Sequence, residues 1–541
     1  MHGAIILSVA GIFSKVLGAC FRIPLGNMIG ADGMGYYQAV YPIYILLLTI
    51  ATTGIPVAIS RMVSERLVAG DRGGAQRVFR VTLVIMSILG AALFAVMFIG
   101  AEYITSNIKD MEGSVYAMKA IAPALLIVPV MATFRGYFQG SQNMKPTAVS
   151  QITEQLFRVT IGLIAAYALL SAGKNFAAAG ATFGATAGSL AGLAAIFFIY
   201  KRYRSSVNFR GRREETRQAK NLRRESTGNI IATLFVIAAP ITLGAAIMPV
   251  MNFIDVHIVT NRLANSGLDA LQVRTLYGQL TGFAQPIVNL PDFLTQAVAV
   301  SMVPAVVRAY KARDREFLHL NVQLGLRFAM IVGLPCSVGL MLLSEPIMKL
   351  IYFRQPADAA GAAPSMTILA VGIVFLSTYE TTSGALQGVG KQMIPVLNLV
   401  IGALVKIMLT YTLTSVKALN IKGAAIGTVA AFIVAMALNY RAVKIYTGTR
   451  FDISKTFLRP LLSVAVMGIV CKGVHLLMSQ FVGSHIATFI AILLAAVVYF
   501  VMIFATKSIH INELRYLPKG DKLTRLYLRT RRKFKRRRTR L

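Results

Sequence analysis

Lys15 and Arg22 lie in one apolar run, with Gly11 and Gly18 between and before them. Gly11, Lys15, Gly18 and Arg22 stand at i, i+4, i+7 and i+11, so they share one helical face. Two cations two turns apart, separated by small residues, make a surface that admits an anionic group. An ionisable side chain inside a membrane costs about 2.5–3.5 kcal/mol on the insertion scale, so it marks function by default. Two further pairs have spacing or charge that suits mutual neutralisation. Glu154 and Arg158 are an i,i+4 pair on a face shared with Gln151 and Gly162, and read as a structural pair. Asp255 and Lys406 neutralise each other in a later part of the chain, or Asp255 with Asn398 takes Na⁺ or a proton. Gln285-Pro286 and Asn289-Leu290-Pro291-Asp292 carry two prolines that break a helix and free carbonyls, which is tolerated only against protein or a wet cavity. Gln38 and Pro42 echo that pattern earlier. Glu380 sits in the very polar run Ser377–Ser383 and is expected to face a cavity. Arg61, Gln38, Gln285, Asp292 and Glu380 complete the cavity or gating candidates.

These residues have to be placed by membrane helices. The chain has 541 residues, of which 56% are hydrophobic and 14% charged. Soluble proteins have roughly 25% charged residues, so a soluble globular domain is excluded. A bilayer core takes about 20 apolar residues as a helix. Fourteen such stretches are expected, near 5–25, 36–58, 81–101, 117–134, 151–171, 176–200, 229–252, 278–303, 322–344, 365–386, 394–414, 423–440, 457–477 and 484–506. Lys15 interrupts the first, which also lacks a basic flank, so it is not read as a cleaved signal peptide. Cys20, Cys336 and Cys471 form no spaced set, and neither a disulfide framework nor a metal centre is expected.

Charge gives the orientation. There are 56 Lys and Arg against 21 Asp and Glu. With both termini cytoplasmic, 41 basic residues fall on inner connections and 9 on outer ones, as the positive-inside rule requires. Residues 201–228 and the tail 507–541 are the richest, and are expected to attract anionic lipid. Nucleic acid is not an expected partner, although the tail from Arg531 to Arg540 leaves RNA or protein binding open. There is no P-loop, no HExxH and no grouping of the six His, so ATP-driven and metalloenzyme chemistry find no motif. Asp32, Glu102, Asp110, Glu112, Asp269, Glu345 and Asp358 are scattered carboxylates that a membrane-embedded enzyme would need.

The chain repeats. Pro56 recurs as Pro304 and Gln139-Gly140 as Gln387-Gly388, both at an offset of 248, and Gly180-Ala181 recurs as Gly423-Ala424 at 243. The unit is six spans, and an even number makes a parallel repeat, suited to two lobes that alternate access. The expected organisation is an N-lobe over 1–200, a basic cytoplasmic linker over 201–228, a C-lobe over 229–446, two further helices over 447–506 and a basic tail over 507–541.

The run Gly54-Ile55-Pro56-Val57-Ala58-Ile59-Ser60-Arg61 resembles the end of the second helix in SpoVB/YtgP-type proteins. So do Phe134-Arg135-Gly136-Tyr137-Phe138-Gln139-Gly140 and Met144-Lys145-Pro146-Thr147-Ala148. Ser14-Lys15-Val16-Leu17-Gly18 is similar to the first helix of MurJ-like proteins. The similarity covers about residues 1–510 and places the chain with the polysaccharide-exporter branch of the MOP (MATE-like) superfamily. The resemblance implies an all-α polytopic fold in the bacterial cytoplasmic membrane and flipping of a lipid-linked oligosaccharide, notably lipid II. It also implies cell-wall synthesis proteins as partners. No cofactor is implied beyond coupling to membrane potential, Na⁺ or H⁺, and no enzymatic activity. Carried over residue by residue, it retains Lys15 and Arg22 as substrate cations and brings a sodium site near Asp255 and Asn398, where Lys406 departs from the pattern. Exporters of other polyprenyl-diphosphate glycans, and cation-coupled drug exporters, remain the alternatives.

Overall fold

The computed structural model describes residues 2–211, 226–449, 452, 454–506 and 508. Among these residues every regular element is helical. In chain order, α1 spans His2–Thr52, α2 Gly54–Val68, α3 Arg72–Ile99, α4 Ala101–Ser106, α5 Val115–Gly140, α6 Lys145–Ala168 and α7 Lys174–Gly211. Then come α8 Thr227–Asn265, α9 Ala270–Gly278, a π-helical stretch Gln279–Ala284, α10 Gln285–Val288, α11 Asp292–Lys311 and α12 Arg315–Leu342. The chain continues through α13 Ser344–Ile351, α14 Pro356–Gly388, α15 Met393–Leu413, α16 Lys422–Thr447, α17 Arg459–Val482 and α18 Ser484–Ala505.

Twelve helices among the described residues are long and apolar enough to cross a membrane, and the chain is a multi-pass membrane protein. Fourteen stretches are expected, and the two figures differ for two reasons. The first candidate, Val16–Val68, takes in both the first and the second expected span. The fifth expected span lies in α6, which is not among the twelve. Helix α7 continues through Gly211, into the stretch expected as linker, and the tail beyond residue 508 falls outside the described residues.

Short polar residues start several of the helices. The Asp71 carboxylate accepts from Gly74 N at 2.7 Å and begins α3, and Asp314 accepts from Phe317 N at 2.9 Å and begins α12. Asp269 and Gln272 form a reciprocal capping box at α9. Each cap satisfies an N–H that has no partner in the helix, which is worth ~1 kcal/mol.

The chain divides into two compact units. The first comprises Met1–Ile287, Ile351–Ser365 and Ala403–Thr428, and the second Val288–Leu350, Met366–Gly402 and Val429–Leu541. Packing draws these boundaries, and they do not follow the six-span repeat. In the first unit, Ile59, Met62, Val78, Met86 and Leu234 form a buried cluster joining α2, α3 and α8. Helices α6 and α7 are held together by backbone proximity. A Cβ added at Gly184 would lie 2.5 Å from Arg158 O, and one at Gly188 would lie 2.5 Å from Glu154 O. Small residues at such contacts are what lets membrane helices approach closely. This contact fixes the azimuth of α6, and hence of Glu154 and Arg158. Gly184→Leu is expected to lower the thermal transition of the detergent-solubilised protein, since overpacking costs about 1–3 kcal/mol; scanning fluorimetry reads it.

In the second unit, Met302, Val306, Leu318, Val322, Leu386 and Val443 form the matching core of α11, α12, α14 and α16. Helices α17 and α18 form a hairpin that turns at Gly483, where φ is +76°, and is tied at its other end by the Ser463 and Thr506 hydroxyls at 2.9 Å. The Tyr499 hydroxyl donates to Ile331 O at 2.6 Å and fastens the hairpin to α12.

Candidate functional site

Helix α1 is too long to cross a bilayer straight, and its 51 residues divide at Gly30. There φ is +69° and ψ −177°, a conformation that glycine adopts without a Cβ penalty. The helix runs on through Pro42, so the break expected near Gln38 and Pro42 falls earlier. Arg22 lies before the break and Tyr37, Tyr41 and Tyr44 lie after it, at i, i+4 and i+7 on one face. The Tyr37 and Tyr41 rings stack at 5.4 Å between centroids.

Arg158 turns toward this tyrosine row. Its Nη2 donates to the Tyr41 hydroxyl at 2.9 Å, and its guanidinium carbon lies 5.5 Å from the Tyr41 ring centroid. Arg22 approaches the same ring at 5.4 Å. Two guanidinium groups therefore flank one tyrosine, and all three side chains are partly exposed. Among the described residues neither arginine has a carboxylate at ion-pair distance. The pairing expected within α6 is replaced by another. Glu154 Oε2 accepts from Arg135 Nη2 at 2.8 Å, and the same nitrogen reaches Ser150 Oγ at 2.8 Å. The carboxylate is held by Arg135 of α5 rather than on its own helix, and Arg158 stands beside Arg22 at the Tyr41 ring. Lys15 lies two turns before Arg22 on α1, but its side chain is outside the described residues.

A second polar assembly surrounds the Gly30 break. The Asp358 carboxylate accepts from Ala31 N at 2.7 Å, capping the helix where it restarts. Asn27 Nδ2 donates to Ile351 O at 2.9 Å, and its Oδ1 accepts from Arg354 N at 3.1 Å. Arg274 Nε donates to Asp32 Oδ1 at 2.8 Å, Lys174 stands 3.7 Å from the other oxygen, and Arg274 also reaches Asp110 O at 3.3 Å. Tyr352 stacks on Phe283 at 3.9 Å, and burial raises its phenol pKa. Gln38 Nε2 donates to Thr281 O within the π-helical stretch. π-Turns disturb the helix ladder and recur at functional positions. Periodicity did not single out Asn27, Arg274 or Asp358 for this role, because their partners are hundreds of residues away in the chain.

Asp255 and Lys406 form an ion pair within the first unit. Asn398 belongs to the second unit, where its Nδ2 donates to Asn439 Oδ1 at 2.7 Å and Asn439 in turn reaches Ser383 Oγ at 2.8 Å. Arg61 pairs with Glu65 at 2.8 Å on an exposed face of α2, where it neutralises a surface charge. Gln285 opens α10 partly buried, and Asp292 lies in the first turn of α11, just after the turn at 289–291. Glu380 is partly buried on α14 in the second unit. Among the described residues no group of three or more His, Cys, Asp or Glu is arranged to hold a metal ion.

The family model described as "Polysaccharide biosynthesis protein" matches residues 1–310, and that described as MatE matches residues 240–412. The chain is 28% identical over 514 residues to "Lipid II flippase MurJ" of Bacillus subtilis (strain 168), covering 92% of this chain and 93% of that one. It is 27% identical over 522 residues to "Stage V sporulation protein B" of the same organism, covering 96% and 97%. Among solved structures it superposes on "Lipid II flippase MurJ, inward closed conformation" with a TM-score of 0.69 at 18% identity, over 93% of this chain and 99% of that one. An inward-facing MATE family multidrug resistance transporter of the MOP superfamily gives 0.66 at 16% identity, over 82% and 98%. With more than half its length matched by the first of these models, the chain belongs to the polysaccharide biosynthesis protein family.

Proposed function

We propose that this protein is a flippase for a polyprenyl-diphosphate-linked cell-wall precursor, lipid II being the substrate, and that it works by alternating access without enzymatic chemistry. It sits in the bacterial cytoplasmic membrane with both termini inside, and the basic linker and tail attract anionic lipid. One observation carries the reading: Arg22 and Arg158 flank Tyr41, partly exposed, with no carboxylate at ion-pair distance among the described residues. A membrane site with surplus positive charge suits a diphosphate and disfavours a cationic drug. Relatives named as a lipid II flippase and a sporulation protein agree with it. The six-span halves rock, the headgroup crosses, and the lipid tail stays in the bilayer. Two negative charges leaving a negative-inside cell gain about 4.6 kcal/mol at ~100 mV, so potential alone can drive export.

The test is to express the chain in cells depleted of their own flippases and ask which leaflet holds lipid II, using an impermeant reagent that modifies the outer pool. Restored outer-leaflet lipid II is expected. Retention of the whole pool inside, with the protein present in the membrane, rejects this substrate, and the same assay with other polyprenyl-diphosphate glycans then identifies the alternative.

A further inference from the structure

We propose that Gln151 and Gln155 of α6, with Ser14 of α1, form a sugar-binding subsite beside the arginine pair, where hydroxyl and amide groups of the transported headgroup are recognised. Three buried polar atoms lack partners here. The Oε1 atoms of Gln151 and Gln155 and the Ser14 hydroxyl are shut off from solvent, and none meets a hydrogen-bond partner among the described residues. Elsewhere in the first unit comparable groups are satisfied. Gln38 Nε2 donates to Thr281 O, Gln272 Oε1 accepts from Asp269 N at 3.2 Å, and Thr49 and Thr52 each donate to their own helix at 2.7 Å. Buried polar groups almost always have a partner, in protein or in ordered water, so three exceptions together call for an occupant. Gln151, Gln155, Arg158 and Gly162 stand at i, i+4, i+7 and i+11, on one face of α6. Two of the four show what that face meets. Arg158 reaches Tyr41 of α1, and a Cβ at Gly162 would lie 3.1 Å from the Phe21 ring of α1. The glutamines therefore lie on the side turned to α1. Ser14 is seven residues before Phe21 and Gln155 seven before Gly162, each about 10 Å along its helix. As the fifth and first crossings of a chain that alternates direction, α6 and the first half of α1 run the same way, which brings Ser14 and Gln155 to one level. Gly18, between Ser14 and Arg22, leaves room, since a Cβ there meets nothing within 4 Å.

Carboxamides suit this task. Each presents an acceptor oxygen and an NH₂ with two donors, which complements the hydroxyls and acylamino groups of a sugar. Neither adds a charge that would compete with the arginines for the diphosphate. Arg158 lies about 4.5 Å of rise beyond Gln155 and about 10 Å beyond Gln151, so a glycan joined to a diphosphate at the arginines extends along the glutamines. A site whose buried polar groups are satisfied by its ligand rejects an analogue that lacks the matching groups, because they are then left unpaired. The arginines hold the diphosphate and the glutamines read the sugar attached to it. Between substrates, water occupies the subsite.

The subsite rests on the flippase reading, and the experiment separates the two. The full-length protein, in nanodiscs of phosphatidylethanolamine and phosphatidylglycerol, is titrated with radiolabelled undecaprenyl diphosphate and with the same lipid bearing one N-acetylglucosamine. The wild type is expected to prefer the glycosylated lipid about tenfold, the equivalent of ~1.4 kcal/mol. Gln151→Leu with Gln155→Leu is expected to bring that preference close to one. Its thermal transition should hold or rise, because apolar groups of similar shape replace unsatisfied ones. Gln155→Met alone serves if the double variant does not fold, and is expected to lose about threefold of the preference. Arg158→Gln is expected to weaken binding of both lipids and keep the preference. A purely structural role for the glutamines would instead weaken both lipids alike in the leucine variant. That result, a leucine variant that keeps the preference because water alone fills the subsite, or a wild type that binds both lipids equally overturns the subsite and leaves the flippase reading standing. A wild type that binds neither lipid removes the flippase reading and the subsite with it.

Discussion

Arg158→Gln is expected to cut flipping about 30- to 100-fold while leaving the protein folded, corresponding to ~2–3 kcal/mol lost from binding an anion in a poorly solvated site. Glutamine keeps a polar donor at this position but carries no charge and is shorter than the guanidinium that now donates to the Tyr41 hydroxyl at 2.9 Å. Arg158→Lys keeps the charge and loses the planar fork, and should fall between the two. Glu154→Gln is the informative comparison. Its carboxylate is engaged by Arg135 at 2.8 Å, so its loss should lower thermal stability with little effect on flipping by the protein that remains. Had Glu154 and Arg158 formed a structural pair, both substitutions would act alike, through stability. Flipping normalised to membrane-inserted protein, together with the thermal transition of each variant, separates the outcomes. A fully active Arg158→Gln would remove the arginine pair from the mechanism.

The sequence disclosed most of the architecture, because bilayer thickness and helix rise turn apolar run length into topology. The charges of Asp255 and Lys406, complementary in the sequence, meet as an ion pair in the first unit. Local spacing misled at Glu154 and Arg158. The i,i+4 rule describes an isolated helix, whereas Arg135 on α5 competes for the same carboxylate and only tertiary packing brings it there. The break at Gly30 was similarly hidden. Glycine is common in membrane helices, and nothing adjacent shows that Asp358, more than 300 residues on, caps Ala31. Asp32 and Asp358 looked like scattered outer carboxylates because each finds its partner through the fold.

Opening of the first unit at Gly30 is where a second large effect is expected. Arg274→Ala leaves Asp32 with only Lys174, at 3.7 Å, where it now has an Arg274 contact at 2.8 Å. Both partners of the Asp32–Arg274 bridge are largely buried, with side chains 14% and 17% exposed, so loss of a charged hydrogen bond should count fully, at ~2 kcal/mol or about 30-fold in the population of the opened form. The reporter is Met34→Cys in a protein whose Cys20, Cys336 and Cys471 have been replaced by alanine. Met34 is 0% exposed and packs against Gly282, so an impermeant maleimide added from the outer side reaches it only on opening. Labelling is expected to rise about 30-fold with Arg274→Ala if opening and closing are fast relative to modification. Exchanging the charges, Asp32→Arg with Arg274→Asp, should restore closure only in part, because Lys174 then faces an arginine. Glu102→Gln is the control. Lys119 holds the Glu102 carboxyl below the usual carboxylate range, but that pair is exposed and contributes little to any equilibrium between conformations. Equal labelling in Arg274→Ala and Glu102→Gln would show that the assembly around Gly30 does not hold this side shut.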